Sequence, residues 1–175
     1  MKQIAMFCLL LVYENNLYAD QLTFSFGEGY QPESNQHNKQ LAVDYFFYEI
    51  ERSSRTRLSL GVGFTHIETD ARFNKRLNAL SLNPRLTLTP VSNNRYYFFV
   101  QALGPSYISS NSLGDRKQDK HFTFQAGIGG GIRQPLDQNK TLLLEVSWKH
   151  LSNANLFSDN DGIDVPFVLS LGIHY

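Results

Sequence analysis

One short segment of the chain carries side chains that could perform nucleophilic catalysis. His150 and Ser152 are two residues apart in an alternating row, so on an extended strand both side chains lie on the same face. A serine hydroxyl needs an adjacent base to act as a nucleophile, and imidazole is a common base. The spacing therefore allows hydrolysis, but it equally fits an interfacial histidine followed by the start of a polar loop.

A serine–histidine pair of this kind usually works with a carboxylate that holds the imidazole in the correct tautomer. The segment after Ser152 offers three candidates, which are Asp159, Asp161 and Asp164. All three also suit an ordinary turn-rich loop, because short polar residues are common there. The residues by themselves leave the choice of acid open.

The elements that must position these residues alternate apolar and polar side chains with a period of two, which indicates β-strands. Eight such rows occur, at 22–26, 43–47, 58–64, 80–88, 96–102, 122–128, 142–148 and 167–175. No segment has a convincing helical repeat, so the sequence predicts an all-β domain.

Alternation of this kind fits either a soluble sandwich or a membrane barrel. Strands of about nine to eleven residues are long enough to cross a bilayer when tilted. The non-apolar rows are small and polar, as in Thr23, Ser25 and Gly27, which suits a narrow interior, and the last strand ends on the aromatic Tyr175. We therefore predict an eight-stranded antiparallel up-and-down transmembrane β-barrel.

The predicted connections alternate strictly in length, as external loops and periplasmic turns do. The longer ones are 31–40, 66–76, 105–121 and 151–165, and the shorter ones are 51–57, 89–95 and 133–140. Because side chains fill the interior of an eight-stranded barrel, a porin-type channel is not expected. Function is expected on the outer wall or in the loops, and the alternation turns His150 and Ser152 outward, towards lipid.

The chain begins with a predicted secretory signal over residues 1–19, which leaves residues 20–175 as the barrel domain. Lys2 provides the positive charge and residues 4–12 the apolar stretch, with a cleavage position after Ala19. The single cysteine, Cys8, excludes a disulfide framework. Sixteen Lys plus Arg balance sixteen Asp plus Glu, so the neutral chain offers no electrostatic basis for binding nucleic acid.

Two linked motifs in the predicted seventh strand and the following loop resemble a known family. They are His150-Leu151-Ser152-Asn153-Ala154 and Asn160-Asp161-Gly162-Ile163-Asp164. The lipid A 3-O-deacylases (PagL-type), which are eight-stranded outer-membrane barrels, carry a similar pair of motifs at this spacing.

The resemblance implies a role for each matching residue. Ser152 would be the nucleophile, His150 its general base, and Asp164 the acid that orients His150. Asn160 would donate a hydrogen bond to the oxyanion, and Asn153 would belong to the same oxyanion site through the turn after Ser152.

The acid is where this sequence departs from the family pattern, which has glutamate where the chain has Asp164. Because the aspartate side chain is one methylene shorter, the backbone near Asp164 must come closer to His150. Alternation also places Asp164 on the lumen row of the last strand, so we expect a bend or bulge near Pro166 to turn it outward.

The implied reaction is hydrolysis of the ester at the 3 position of lipid A in the outer leaflet, with release of a 3-hydroxy fatty acid. Lipid A, as part of lipopolysaccharide, and the bacterial outer membrane would be the partners, a homodimer stays open, and no metal or organic cofactor is implied. One alternative is a non-enzymatic barrel that acts in adhesion or membrane integrity. Another is a different lipid A modifier, such as an acyltransferase or phospholipase.

Overall fold

The computed structural model describes residues 20–31, 34–90 and 95–175, and the predicted signal segment lies outside them. The described strands are β1 (Gln21–Tyr30), β2 (His37–Ser53), β3 (Thr56–Thr69), β4 (Arg76–Leu88), β5 (Tyr96–Ile108), β6 (Ser112–Leu113), β7 (Arg116–Lys117), β8 (Phe122–Pro135), β9 (Thr141–Ser152) and β10 (Ile163–His174). Eight of them form a closed barrel in the order β1-β10-β9-β8-β5-β4-β3-β2, with every pair antiparallel. This confirms the predicted eight-stranded barrel. Within the described ranges, no helix is long and apolar enough to span a membrane.

The two faces of the wall follow the sequence alternation. In β1, Phe24 is 57% exposed on the outside, whereas its neighbour Thr23 is 2% exposed in the interior. The large apolar side chains that a soluble protein would bury therefore cover the outer surface, as lipid contact requires. The interior is polar and tightly packed.

Charged side chains in the interior are paired with one another. Arg85 donates to Glu145, with 2.6 Å between Nη2 and Oε1, and the Tyr97 hydroxyl donates to the same oxygen at 2.7 Å. Lys149 Nζ lies 3.2 Å from Asp44 Oδ2. These pairs fill the middle of the barrel, in agreement with the predicted packed interior.

The loop end of the barrel is closed by apolar packing and by a small hairpin formed by β6 and β7. Its Leu113 is fully buried in an apolar cluster. The other members of that cluster are Ile67, Leu77, Ala79, Ile108, Leu151 and Ile163. Gly114 N–H donates to the Asn74 carbonyl at 2.9 Å, which joins the hairpin to the neighbouring loop. The alternation pattern did not predict this hairpin, because strands of two residues are too short to show a period.

The predicted strict alternation of connection lengths is wrong at one point. The connection 70–75 is no longer than 89–95, although the first was expected to be a long loop and the second a short turn. The strands continue beyond the length needed to cross a bilayer, and β2 has 17 residues. Each further pair of residues across two neighbouring strands satisfies backbone donors and acceptors. The strands therefore extend into segments that were expected to be loops.

Candidate active site on the outer wall

The last residues of β9 present His150 and Ser152 on the outer face. Trp148 precedes them on the exposed row, whereas Lys149 is buried in the interior, and both His150 and Ser152 are half-buried. On the adjacent strand β8, Ala126 lies opposite His150, so the imidazole has an apolar neighbour on that side. The two residues therefore share the lipid-facing side that the alternation indicates.

A β-bulge in β10 turns Asp164 towards the same face. Val165 lies opposite Lys149 and Val168 opposite Ser147, so β10 has one extra residue between these two pairs. Pro166 lies in this interval, and a proline cannot donate to the ladder, which is why bulges accommodate it. The shift reverses the alternation and makes Asp164 the direct cross-strand partner of His150. The bend expected near Pro166 is present, and it also brings the shorter acid close enough.

The imidazole and the carboxylate are hydrogen-bonded, with 2.9 Å between His150 Nδ1 and Asp164 Oδ1. An ionised carboxylate can only accept, so the Nδ1 proton is donated to Asp164 and Nε2 is left as the acceptor of the ring. The Trp148 ring centroid lies 5.7 Å from that of His150, on the same outer row. The tautomer with its proton on Nδ1 is the one that a general base towards a serine hydroxyl requires.

Gln31, in the connection after β1, holds Asp164 from the opposite side. Its Nε2 donates to Asp164 Oδ2 at 3.1 Å and to the Gly162 carbonyl at 3.2 Å. Its Oε1 accepts from Asp164 N at 2.8 Å and from Asn38 Nδ2 at 3.0 Å. Sequence reasoning missed Gln31, since a buried amide 133 residues away along the chain has no local pattern.

Gly162 allows the loop to pass directly against the His150 ring. A Cβ atom at this position would collide with Cε1 of the imidazole and would lie 3.2 Å from Nε2. Only glycine lets the backbone come so close. The ring is therefore fixed by Asp164 on one edge and by the Gly162 backbone beside Cε1.

A network of asparagines shapes the turn after Ser152. Asn153 N–H donates to Asn160 Oδ1 at 2.7 Å, and Asn160 Nδ2 donates to Asn155 Oδ1 at 2.7 Å. The Asn153 side chain is fully buried and donates to the Asp159 carbonyl at 2.6 Å. Of the two predicted oxyanion donors, Asn160 is half-buried and adjoins the Ser152–Asn153 peptide, whereas both donor groups of Asn153 bond within the loop.

The turn itself has an unusual backbone. Ala154 and Asn155 have φ values of 55° and 59°, and Leu156 N–H donates to the Asn153 carbonyl at 3.1 Å. Positive φ at both central residues is the pattern of a type I′ turn, which is uncommon for alanine. Such strain persists only where surrounding contacts hold it, and here the asparagine network does so.

The other two candidate acids have different positions. The Asp161 carboxylate accepts the Lys117 backbone N–H at 2.9 Å, and the Asp159 carbonyl accepts that of Asp119 at 2.9 Å. Both residues thus connect this loop to the segment around the β6–β7 hairpin. Of the three aspartates, Asp164 is the one that contacts His150.

The Ser152 hydroxyl is not hydrogen-bonded to any part of the chain that the structure describes. It lies at the end of β9, two residues after His150 on the same face. Hydrogen bonds of catalytic groups often tighten only when substrate is bound. Among the described residues, no three His, Cys, Asp or Glu side chains form a group that could hold a metal ion.

Comparison with known proteins agrees with this architecture. The family model described as lipid A 3-O-deacylase (PagL) matches residues 12–173. The crystal structure of the outer membrane enzyme PagL superposes with a TM-score of 0.57 at 20% identity, covering 87% of this chain and 97% of that one. Neisserial surface protein A superposes with a TM-score of 0.54 at 12% identity, covering 89% and 94%. No curated protein sequence matches.

The closed eight-stranded barrel and the match to this family model define an enzyme in a transmembrane barrel of the bacterial outer membrane. Because the family model spans nearly the whole chain, the protein belongs to the lipid A 3-O-deacylase family. The two solved structures share the barrel fold with it.

Proposed function

We propose that this enzyme removes the 3-O-linked 3-hydroxyacyl chain of lipid A, with Ser152 as nucleophile, His150 as general base and Asp164 as the orienting acid. The observation that carries the proposal is the 2.9 Å hydrogen bond between His150 Nδ1 and Asp164 Oδ1, on the face that also bears Ser152. That bond leaves Nε2 available to take the serine proton.

The reaction then proceeds in two steps. Ser152 Oγ rotates to about 3 Å from Nε2, transfers its proton to His150 and attacks the ester carbonyl carbon. When the tetrahedral intermediate collapses, His150 returns the proton to the departing sugar oxygen and the acyl chain stays on Ser152. A water molecule, deprotonated by the same imidazole, then attacks this ester. As the acyl–Oγ bond breaks, His150 gives the proton to Ser152 Oγ and the 3-hydroxy fatty acid is released.

Asn160 is the proposed donor to the negatively charged oxygen of the tetrahedral intermediates. Its Oδ1 is fixed by Asn153 N–H, and one hydrogen of its Nδ2 is used by Asn155, so the second amide hydrogen can serve the oxyanion. A preorganised donor of this kind is worth roughly 3–4 kcal/mol in other hydrolases. Asn153 supports the site by holding Asn160 in position.

A site on the wall suits a substrate that is itself a membrane lipid. The acyl chains of lipid A in the outer leaflet would lie against exposed apolar side chains such as Trp148, Val146 and Ile128. No pocket through the barrel is needed, because the substrate already lies beside the outer wall in the membrane.

The proposal is tested by mass spectrometry of lipid A after incubation with the refolded enzyme. We expect the wild type to remove one 3-hydroxyacyl chain, and Ser152→Ala to lower kcat by up to about 10⁶-fold, as loss of a serine nucleophile does elsewhere. The exposed Ser158 in the same loop provides the matched control, so Ser158→Ala should retain wild-type activity.

Two outcomes would overturn parts of the proposal. If Ser152→Ala remains active, the serine is not the nucleophile, although the substrate is correct. If the folded wild type removes no acyl chain while a known deacylase does so in the same assay, the substrate is wrong.

A further inference from the structure

The segment that begins with β7 pairs with the loop over residues 153–162, the oxyanion loop, which carries Asn160. Asp161 N–H donates to the Lys117 carbonyl at 2.8 Å, and Lys117 N–H donates to the Asp161 carboxylate at 2.9 Å. The next residue, Gln118, forms an antiparallel β-bridge with Asn160. The hairpin therefore extends into a short strand that lies alongside the oxyanion loop.

The Gln118 side chain reinforces this pairing with a buried hydrogen bond. Gln118 is fully buried, and its Nε2 donates to the Asp161 carbonyl at 2.6 Å. Its backbone N–H donates to the Asn111 carbonyl at 2.7 Å, which anchors Gln118 to the segment before β6. Because a hydrogen bond to a carbonyl prefers the plane of that peptide, Gln118 restricts the orientation of the peptide directly after Asn160.

Arg116 of β7 holds the following carbonyl of the same loop. Its Nε donates to the Gly162 carbonyl at 2.9 Å, and hydrogen bonds from a charged donor are stronger than neutral ones. Gly162 is the residue whose backbone lies against His150 Cε1. Arg116 and Gln118 are two residues apart, so their side chains share one face of the extended segment and hold two consecutive peptides.

The hairpin also contacts the connection that holds the proposed acid. The Gln36 side chain is buried, its Nε2 donates to the Leu113 carbonyl at 3.3 Å, and its Oε1 accepts the Asp115 backbone N–H. The Gln36 carbonyl accepts Gln31 N–H at 2.8 Å, and Gln31 in turn donates to Asp164. Gln36 thus links the hairpin to the residue that clamps the acid.

Gly114, in the turn of the hairpin, permits this close contact. Its φ is 58°, and a Cβ atom at this position would collide with Gln36 Oε1 and with Ala71 Cβ. Leu113 beside it is buried in the apolar cluster at the loop end. The hairpin is therefore seated on packed side chains and can support a loop on each side.

We propose that the β6–β7 hairpin positions the active site from two sides, with Gln118 acting on Asn160 and Gln36 acting, through Gln31, on Asp164. This inference rests on the proposed function, because it concerns the oxyanion donor and the acid assigned there. Gln118 and Gln36 are positioning residues. A donor to an oxyanion is effective only when it is fixed before the reaction, and supporting contacts of this kind fix it.

The test is a pair of double-mutant cycles, with steady-state kinetics of the refolded enzyme on lipid A. Gln118→Ala should lower kcat about tenfold and leave KM within about twofold of wild type. In an Asn160→Ala background the same substitution should lower kcat less than about twofold, since the donor that Gln118 positions is already absent. Gln36→Ala should likewise lower kcat about tenfold, and this effect should disappear in a Gln31→Ala background.

Two controls separate positioning from a general effect on the barrel. Gln118→Ala should keep its roughly tenfold effect in the Gln31→Ala background, because Gln31 acts on the other side of the site. Gln101→Ala removes a buried glutamine in the barrel interior and should leave kcat per folded molecule within about twofold of wild type. A hairpin that only stabilised the barrel would lower the folded fraction and leave kcat of the folded molecules unchanged, which would overturn the inference.

Hydrogen exchange distinguishes failure of this inference from failure of the proposed function. The Asp161 amide, which donates to the Lys117 carbonyl, should exchange at least about tenfold faster in Gln118→Ala than in wild type. If the folded wild type removes no acyl chain, the proposed function fails; an unchanged exchange rate would then overturn the positioning as well, whereas faster exchange would support it.

With an active wild type, two kinetic results would contradict the inference. One is wild-type kcat in both Gln118→Ala and Gln36→Ala, and the other is an equal loss in Gln118→Ala with and without Asn160. If Gln118→Ala does not refold, Gln118→Met, which keeps most of the side-chain volume and removes the amide donor, takes its place in the cycle.

Discussion

Consecutive residues of β9 pair with aspartates on opposite sides of the barrel wall. Lys149 points inward to Asp44, at 3.2 Å, and these side chains are 7% and 5% exposed. His150 points outward to Asp164, at 2.9 Å, and these side chains are 29% and 11% exposed. The chemistry of the two pairs is similar, and only the face of the strand differs.

The difference in exposure predicts a structural role for the inner pair and a catalytic role for the outer pair. Asp44 also accepts from Asn83 Nδ2 at 2.6 Å, so the interior pair is surrounded by partners and has no access for a substrate. The outer imidazole is held at Nδ1 but keeps a half-buried ring beside the lipid-facing surface. The interior pair should therefore govern stability, and the outer pair should govern the rate of reaction.

Among changes to the two ion pairs and their surroundings, removing the charge of the outer acid should lower kcat the most. Asp164→Asn can donate to His150 Nδ1 and so favour the wrong tautomer, which lowered kcat by about 10⁴-fold in a related constellation. Folding should be little affected, since the amide retains the shape. Steady-state kinetics on lipid A, with Asp159→Asn as the control in the same loop, checks this. Equal activity in both variants would contradict the assignment of the acid.

Breaking the inner pair should lower the stability of the barrel and leave the reaction rate unchanged. Lys149→Met leaves Asp44 buried without its cation, which should lower the free energy of unfolding by roughly 3–5 kcal/mol. The deacylation rate per folded molecule should stay within about twofold of wild type. Urea unfolding in lipid vesicles measures the first quantity. The double variant Asp44→Asn with Lys149→Met should recover much of the stability, and a failure to do so would argue against the pair as the cause.

Placing a methyl group against the imidazole should give an intermediate loss of kcat. Gly162→Ala would push a methyl group into His150, and displacement by about 1 Å can cost about 10²-fold in kcat. Gly130→Ala is the control, because its added methyl would lie 3.2 Å from the nearest atom, the Tyr97 carbonyl oxygen, far from the site. Unchanged kcat in Gly162→Ala would mean that the ring position is not critical.

Removing the hydrogen bond that Gln31 donates to Asp164 should give the smallest loss of kcat. Gln31→Ala removes the amide that donates to Asp164 Oδ2, and a hydrogen bond to a charged group is worth about 1.5–3 kcal/mol, so kcat should fall about tenfold or more. Because Gln31 positions the acid rather than contacting substrate, KM for lipid A should hardly change. A rise in KM at constant kcat would instead indicate a role in binding.

The fold was largely predictable because its signal is local. Side chains alternate across any strand, so the rows around Phe24 or Trp148 reveal which face meets lipid before any pairing is known. The extent of pairing was not predictable, and the 70–75 connection is shorter than expected for this reason. How far two strands stay paired depends on both strands together.

The sequence by itself determined the eight rows and the outward position of His150 and Ser152, because each follows from spacing along one strand. The resemblance of the two motifs added the expectation of a bulge near Pro166 that turns Asp164 outward. Only the tertiary structure decided that Gln31 clamps Asp164 and that Lys149 meets Asp44. These contacts join segments far apart in the chain. Barrel closure and register bring them together, and neither is encoded in any single strand.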